Sequence, residues 1–406
     1  MSEETEKNIG EAEERPEETP AEKTPEEGGE AAAELVSSPK KSFMDQYGIW
    51  VYAFGYFAAY WPYSAITKLV TDKKISEMPN LPEWLNGIAA GLPGPEVLPL
   101  SVFASVLGAL VFLWARGLFK YAPKRYNIGG LSIPGPDKYT FASGLCSSVI
   151  IATTTLAYTF TGVSVIFIML IMRGGLLILG PVIDLLNKRT VRWFSYAGMI
   201  LSLVSLIVTF LIKQGNMGKE FDFLSAFGVE PMACITNVLV YLAAYFFRLS
   251  LMSKKAKSKD PDTNTRYFVG EQLTSSPSLF IMIMIVALLN VPGWTFSNQL
   301  HDGITHVFTG YNFWWLIFLI GVFSAGNGIF GGLILLDKSE NTYSIPVNRC
   351  SSIIAGLLAT ATVSLLTTGT LNSIKFEEII GAAIIIVAIV FLTIPILAPL
   401  FTKKKS

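Results

Sequence analysis

The sequence predicts an all-α integral membrane protein with ten transmembrane helices arranged as two inverted five-helix repeats. Three observations lead to this fold class: ten apolar segments of spanning length, a one-sided distribution of basic residues between them, and a short phrase that recurs 185 residues later. Apolar residues make up 51% of the 406 residues and charged residues only 15%, which indicates that most of the chain is solvated by lipid.

A helix needs about 20 mostly apolar residues to cross a hydrocarbon core about 30 Å thick. Ten segments meet this requirement, at 47–70, 98–119, 139–160, 163–186, 192–213, 231–252, 276–292, 312–336, 344–368 and 377–400. Five of them fall in a first repeat at 44–213 and five in a second repeat at 231–400, with an outer loop at 214–230 between the two.

The two ends of the chain differ from the apolar segments. Residues 1–43 are rich in Glu, Pro, Gly and Ala, and such a stretch buries too little apolar surface to offset the entropy of ordering, so we expect a disordered cytoplasmic tail without the apolar core of a signal peptide. Residues 401–406 form a basic cytoplasmic terminus. Its three lysines resemble a retrieval signal, and equally follow from topology alone.

The basic residues between the segments indicate the orientation. Placing both termini in the cytoplasm puts nineteen Lys and Arg residues of the connections, of 40–41 and of 403–405 inside and only five outside. Lys and Arg are retained on the cytoplasmic side, so this orientation is the expected one. The membrane stays open between a bacterial inner membrane and a eukaryotic Golgi or endoplasmic reticulum membrane.

A duplication accounts for the recurring phrase. Tyr56-Phe57-Ala58-Ala59-Tyr60 in the first segment returns as Tyr241-Leu242-Ala243-Ala244-Tyr245 in the sixth, and Arg173 in the fourth segment has a counterpart in Arg349 of the ninth at an offset of 176. An odd number of helices in each half places the second half upside down relative to the first.

Stretches in both halves of the chain resemble a known family of membrane proteins. The run 156–164 (LAYTFTGVS), followed by Asn187-Lys188-Arg189-Thr190 and a glycine-bearing helix, resembles the third to fifth helices of the drug/metabolite transporter superfamily, which includes EamA-like carriers. In the second half, 344–349 (SIPVNR) and 376–383 (FEEIIGAA) are similar to the ninth and tenth helices of that superfamily. The resemblance implies a ten-helix carrier around a central solute cavity.

Two shorter motifs resemble one branch of that superfamily. The run Met172-Arg173-Gly174-Gly175 is similar to the fourth helix of nucleotide-sugar-transporter-like members, and Val347-Asn348-Arg349 is similar to a Leu-Asn-Lys element, with arginine in place of lysine. The resemblance implies that Asn348 and Arg349 contact a substrate.

Arg173 is the strongest single candidate for substrate binding. A charge at the bilayer centre costs roughly 2.5–3.5 kcal/mol on insertion scales, so it normally faces a cavity or a partner. Guanidinium is permanently charged and its planar fork suits phosphate or carboxylate. The alternative is a structural partner such as backbone carbonyls or Asp184, although Asp184 lies eleven residues further on, too far for a bridge within one helix.

Two polar stripes occupy matching positions in the two halves. Asn237, Tyr241, Tyr245 and Arg248 follow one another at spacings of four, four and three, which places them on one helix face. The first segment has the matching stripe, formed by Tyr52, Tyr56, Tyr60 and Tyr63. These stripes predict cavity lining by Tyr56, Tyr60, Tyr241, Tyr245 and Arg248; the alternatives are interfacial tyrosine anchors and an Arg248 that belongs to the basic cytoplasmic cluster.

Two further residues of the first segment are candidates. Pro62 removes a backbone hydrogen bond and is predicted to act as a hinge. Lys68 either binds a ligand or only reaches the outer interface.

These observations predict a secondary transporter of a small organic metabolite, anionic or phosphorylated, such as a nucleotide sugar, because intramembrane arginines outnumber carboxylates. We expect no proton-coupling carboxylate, since Asp45 and Glu271 are placed near helix ends. The alternatives are an exporter of amino acids or drug-like compounds and a non-transporting scaffold or receptor.

The sequence contains no motif for catalysis, cofactor or nucleic-acid binding. No cysteine shows metal-ligand spacing, and His301 and His306 form only a weak pair in an outer loop. The expected partners are therefore the small-molecule substrate and membrane lipid, and a homodimer stays open.

Overall fold

The structure is a computed structural model that describes residues 43–78, 83, 88, 90–157, 165–216, 229–257, 260–306, 312–371 and 375–402. The predicted tail at 1–43 lies outside these ranges except for its last residue, as do residues 158–164 of the run that carries the resemblance, 217–228 of the predicted outer loop and 403–406 of the basic terminus.

Helices dominate the described residues. In chain order they are α1 Phe43–Thr71, α2 Lys73–Ser76, α3 Gly94–Ala115, α4 Lys138–Leu156, α5 Val165–Leu186, α6 Trp193–Asn216, α7 Val229–Lys255, α8 Pro261–Leu289, α9 Thr295–Thr305, α10 Trp314–Leu336, α11 Asn341–Thr368 and α12 Phe376–Thr402. A 3₁₀ turn at Leu118–Tyr121 and an antiparallel hairpin, β1 Lys124–Ile128 with β2 Leu131–Gly135, connect α3 to α4.

Nine of the described helices are long and apolar enough to cross a membrane, namely α3 to α8 and α10 to α12. The chain is therefore an all-α, multi-pass membrane protein. Helix α1 is 29 residues long and occupies the first predicted segment, but it is not among the nine. Its tyrosine and tryptophan residues lower its mean hydropathy.

One predicted boundary differs clearly from the structure. The seventh segment was expected to begin at 276, whereas α8 begins at Pro261, because a polar stretch that includes Glu271 and Gln272 interrupts the apolar pattern without interrupting the helix. Within the predicted outer loop, His301 lies on the short helix α9. The hairpin between α3 and α4 has no counterpart in the sequence prediction.

The long helices pack in a regular set of pairs. Helix α1 packs on α10 and α11, and α7 packs on α4 and α5. Helix α3 packs on α10, and α8 packs on α4. Further pairs are α6 with α12, α3 with α8, α5 with α11, α5 with α6 and α11 with α12.

Close helix approach depends on small residues at two of these crossings. A β carbon on Gly321 of α10 would overlap the carbonyl oxygen of Ser101 on α3. A β carbon on Gly144 of α4 would lie 2.5 Å from that of Thr274 on α8. Glycine is therefore required where α10 meets α3 and where α4 meets α8.

The connections between the helices form two groups, which we call the basic end and the far end. The basic end contains residues 187–192, 256–257 and 337–340, where Arg189 and Lys257 both donate to the carbonyl oxygen of Ser339. The far end contains residues 72–78, 90–93 and 290–306, where the backbone of Leu92 binds that of Val70 at the end of α1.

Candidate functional site

One large cavity lies between the long helices. Its volume is about 1070 Å³, at the upper end of the usual range for small-molecule pockets. Its lining extends from Leu335 and Asn348 to the far end, where Pro93 and the exposed Lys73 form part of its rim. All eight residues predicted to bind substrate lie on its wall: Tyr56, Tyr60, Arg173, Tyr241, Tyr245, Arg248, Asn348 and Arg349.

The charge of the cavity wall has one sign. Five cationic side chains line it, and no aspartate or glutamate is found among its described lining residues. The cations are Lys68, Lys73, Arg173, Arg248 and Arg349. In a region of low dielectric this arrangement strongly favours a negatively charged occupant.

Arg349 and two tyrosines form one side of the cavity. Arg349 Nη2 donates to the hydroxyl of Tyr245 over 2.9 Å, and its guanidinium carbon lies 5.8 Å from the centre of the Tyr245 ring. Tyr241 stands edge-on to Tyr245 with ring centres 4.9 Å apart. The sequence also allows Arg349, near the cytoplasmic end of the ninth predicted segment, to extend to the membrane surface, but the structure places its side chain on the cavity wall.

Tyr56, Tyr60 and Asn348 form a second group on the cavity wall, and Tyr56 lies near Arg349 and Tyr245. The Tyr56 and Tyr60 rings stack with centres 5.6 Å apart. A β carbon on Gly331 of α10 would lie 3.1 Å from the Tyr56 ring and 3.4 Å from Asn348 Nδ2, so the glycine provides the room in which both side chains meet. The alternative that Tyr56 and Tyr60 are interfacial anchors does not fit this position inside the helix bundle.

Arg173 faces the cavity from α5. It makes no hydrogen bond or ion pair with another described residue. Asp184, its suggested structural partner, instead binds the first residues of α11. Among the described residues, the guanidinium of Arg173 is therefore left available to a solute.

Arg248 has a buried carboxylate partner that the sequence analysis did not predict. Its Nε lies 2.6 Å from Glu271 Oε1, and Glu271 is only 1% exposed. The expectation that Glu271 lies near a helix end is wrong, because α8 begins ten residues earlier, at Pro261. The alternative that Arg248 belongs to the exposed basic cluster is wrong as well, since its side chain is only 11% exposed.

Several cavity residues were missed or given little weight. Gln272, Asn327 and a set of serines and threonines supply hydrogen-bonding groups to the wall. Lys68, for which ligand binding and contact with the outer interface are the two interpretations, lines the cavity and donates to Thr360 of α11. Gln272 lies in the polar stretch at 261–276, which belongs to α8. In the sequence, such a stretch next to an apolar segment has the composition of a loop. Pro62 lies within an uninterrupted α1, and its predicted hinge role stays a prediction.

The basic end is closed by a hydrogen-bonded cluster. Asp184 on α5 is fully buried and accepts four hydrogen bonds of 2.7–2.9 Å from the backbone and side chains of Asn341 and Thr342. It thereby caps α11, whose own preceding residue Glu340 makes no side-chain cap. The side chain of Asn341 also binds Ser253 at the end of α7, so three helices are joined at one point.

Charged residues surround this cluster. Arg192 and Glu340 form a bidentate ion pair with distances of 2.8 and 2.9 Å, and Ser195 donates to the same carboxylate. Burial of Glu340 opposes its charged form, but these hydrogen bonds outweigh burial and hold its pKa below the usual value. Burial, with nearby Arg189, lowers the pKa of Lys257 to about 7.

The described residues contain no cluster of three or more His, Cys, Asp or Glu side chains that could hold a metal ion. Comparison with protein-family models and with curated proteins finds no match for this sequence. Its function is therefore argued from the cavity.

Proposed function

We propose that this chain is a secondary transporter that carries a small organic anion, such as a phosphorylated metabolite or a nucleotide sugar, across a membrane by alternating access. The observation that carries the proposal is the cavity of about 1070 Å³ whose described wall holds five cationic side chains and no carboxylate. Guanidinium groups suit phosphate and carboxylate oxygens, and the tyrosine rings offer flat surfaces to a sugar or a base.

The closure of one end supports alternating access. The cavity wall extends to the far end, whereas the Asp184 cluster and the Arg192–Glu340 pair lie beyond its other limit. A carrier opens its binding site to one side of the membrane at a time. One of its two states therefore requires a site that is closed at one end, and hydrogen bonds between helices can provide this closure. With both termini placed in the cytoplasm, this state faces the outer side.

The helix packing supports ten spans in two inverted repeats. If α1, α3, α4, α5 and α6 correspond in order to α7, α8, α10, α11 and α12, the contact of α1 with α10 has its counterpart in α7 with α4. The contacts of α1 with α11 and of α3 with α10 likewise correspond to those of α7 with α5 and of α8 with α4. The pairs α3 with α8, α5 with α11 and α6 with α12 correspond to themselves, as a two-fold axis requires.

The repeat also relates the site residues. Tyr56 corresponds to Tyr241, and Arg173 on α5 to Arg349 on α11, and these residues line one cavity. The arrangement agrees with the drug/metabolite transporter resemblance, which we retain as part of the proposal.

A thermal-shift screen tests this function. The detergent-purified protein is heated with nucleotide sugars, sugar phosphates, carboxylates, amino acids and cationic drugs, since a ligand of the folded state raises the melting temperature. We expect an anionic compound to stabilise the wild type and not Arg173→Ala. The matched control is Arg116→Ala, which removes an exposed arginine outside the cavity and should leave the shift intact.

Transport itself is measured with the identified compound in proteoliposomes. Saturable uptake that Arg173→Ala abolishes supports a carrier. Binding without flux would favour a receptor or scaffold, and stabilisation by neutral or cationic compounds that survives Arg173→Ala would favour the amino-acid or drug exporter.

A further inference from the structure

Glu271 is a buried carboxylate that lies directly behind the cavity wall. Its Oε1 accepts three hydrogen bonds, from Arg248 Nε at 2.6 Å and from the hydroxyls of Ser143 and Ser147 at 3.0 Å each. Its Oε2 is also buried and has no hydrogen-bond partner among the described residues. Among the described residues, Oε1 therefore has three donors and Oε2 has none.

The charged form of Glu271 depends on Arg248. A buried carboxylate is costly unless an opposite charge and hydrogen bonds compensate it, and Oε2 lacks such compensation here. The other titratable groups around it are Cys146 from α4 and Tyr267 from α8 itself, while Tyr245 on α7 lies beside Arg248. Among these described groups, Arg248 is the one positive charge.

Arg248 faces two ways. Its Nε binds Glu271, whereas the side chain lines the cavity and its two terminal nitrogens make no hydrogen bond with a described residue. A solute anion bound to these nitrogens therefore shares the one positive charge of Arg248 with Glu271. A proton on Glu271 frees that charge for the anion, and an anion on Arg248 leaves the carboxylate less compensated and favours its protonation. By linkage the two effects are equal in size.

We propose that Glu271 is the proton-binding site of the carrier, coupled through Arg248 to the anion site, so that one proton is bound with each anion. This proposal rests on the proposed anion transport. The proton comes from water at the far end and forms an O–H bond on Oε2, and it returns to water when the anion leaves. Ser147 lies on the cavity wall and also binds Oε1, so one hydroxyl separates the carboxylate from the cavity.

The test uses sodium sulfate as an oxyanion that does not titrate in the range studied. Stabilisation of the purified protein by sulfate is measured at several pH values against sodium chloride of equal ionic strength. We expect the apparent sulfate affinity of the wild type to rise as the pH falls, by up to about tenfold per pH unit for one coupled proton. Glu271→Gln, which imitates the protonated form, should bind sulfate with the same affinity at every pH.

The control is Glu340→Gln, which removes the carboxylate of the Arg192–Glu340 ion pair outside the cavity. This variant should keep the pH dependence of the sulfate affinity. Should Glu271→Gln fail to fold, infrared difference spectra of the wild type replace it, and sulfate should increase the band of a protonated carboxyl group. Sulfate binding that is independent of pH in the wild type would overturn the proton site and leave the anion cavity standing. If sulfate bound neither to the wild type nor to Glu271→Gln, both the proton site and the proposed anion binding by the cavity would be overturned.

Discussion

Arg349 illustrates how one residue is prepared for a ligand. Its Nη2 donates to the hydroxyl of Tyr245, while its buried Nε has no acceptor among the described residues. A buried cation with an unused donor is costly to the folded state, and a bound anion would compensate it.

Replacing this arginine should therefore separate binding from stability. We expect Arg349→Met to lose anion binding by tenfold or more, because a hydrogen bond to a charged group contributes about 1.5–3 kcal/mol. No carboxylate partner of Arg349 is found among the described residues, so the melting temperature without ligand should not fall. Thermal melts with and without the anion measure both effects, and a marked loss of stability without ligand would contradict this account.

Arg248 should behave in the opposite way. Arg248→Met leaves the buried carboxyl group of Glu271 without its partner, which costs about 3–5 kcal/mol in comparable pairs. Adding Glu271→Gln removes that unpaired carboxyl group, so the double variant should be more stable than Arg248→Met alone. Denaturation in mixed micelles measures this cycle, and additive losses would show that the two residues act independently.

At the scale of an element, Asp184 determines the start of α11. A side-chain cap contributes about 0.5–2 kcal/mol, and Asp184 makes four hydrogen bonds inside the protein. We expect Asp184→Ala to cost more than this range, because it also leaves buried donors unpaired. The matched control is Asp260→Ala at the exposed cap of α8, which should cost less than Asp184→Ala because water can replace the lost hydrogen bonds.

The connection between α7 and α8 should make stability depend on pH. Lys257 has a pKa of about 7 in the folded protein and an ordinary value of 10.5 when unfolded. Between these values the unfolded chain binds more protons, so the free energy of unfolding rises with pH. Below pH 7 both states are protonated and the contribution is constant.

The variant Lys257→Met lacks this proton site and serves as the reference. The wild type should therefore gain stability relative to Lys257→Met as the pH is raised from 7 to 9 in parallel thermal melts. A difference that stays constant over this range would contradict the lowered pKa.

At the scale of the whole molecule, the accessibility of the two ends should differ. Ser64 lines the cavity, whereas Ser344 is fully buried at the basic end and binds Lys257. In a background without Cys146, Cys234 and Cys350, a membrane-impermeant thiol reagent should label Ser64→Cys rapidly and Ser344→Cys slowly. Bound anion should protect Ser64→Cys. Equal labelling of the two positions would exclude closure at the basic end.

The sequence determined the long helices and eight residues of the cavity wall. Apolar runs of spanning length form helices because lipid offers backbone groups no hydrogen-bond partner, so the position of these helices follows from local composition. The repeated tyrosine phrase and the two intramembrane arginines identified residues that do share one cavity, because an isolated charge in a membrane needs a polar surrounding.

Only the tertiary structure decided which polar groups meet. Asp184 caps a helix more than 150 residues away, and Glu271 receives Arg248 from α7 and two serines from α4. Such contacts depend on the packing of helices that are distant in sequence, and a polar stretch in a helix looks like a loop until its partners are in place. The closure of the basic end follows from these same contacts, and for that reason no single segment of the chain predicts it.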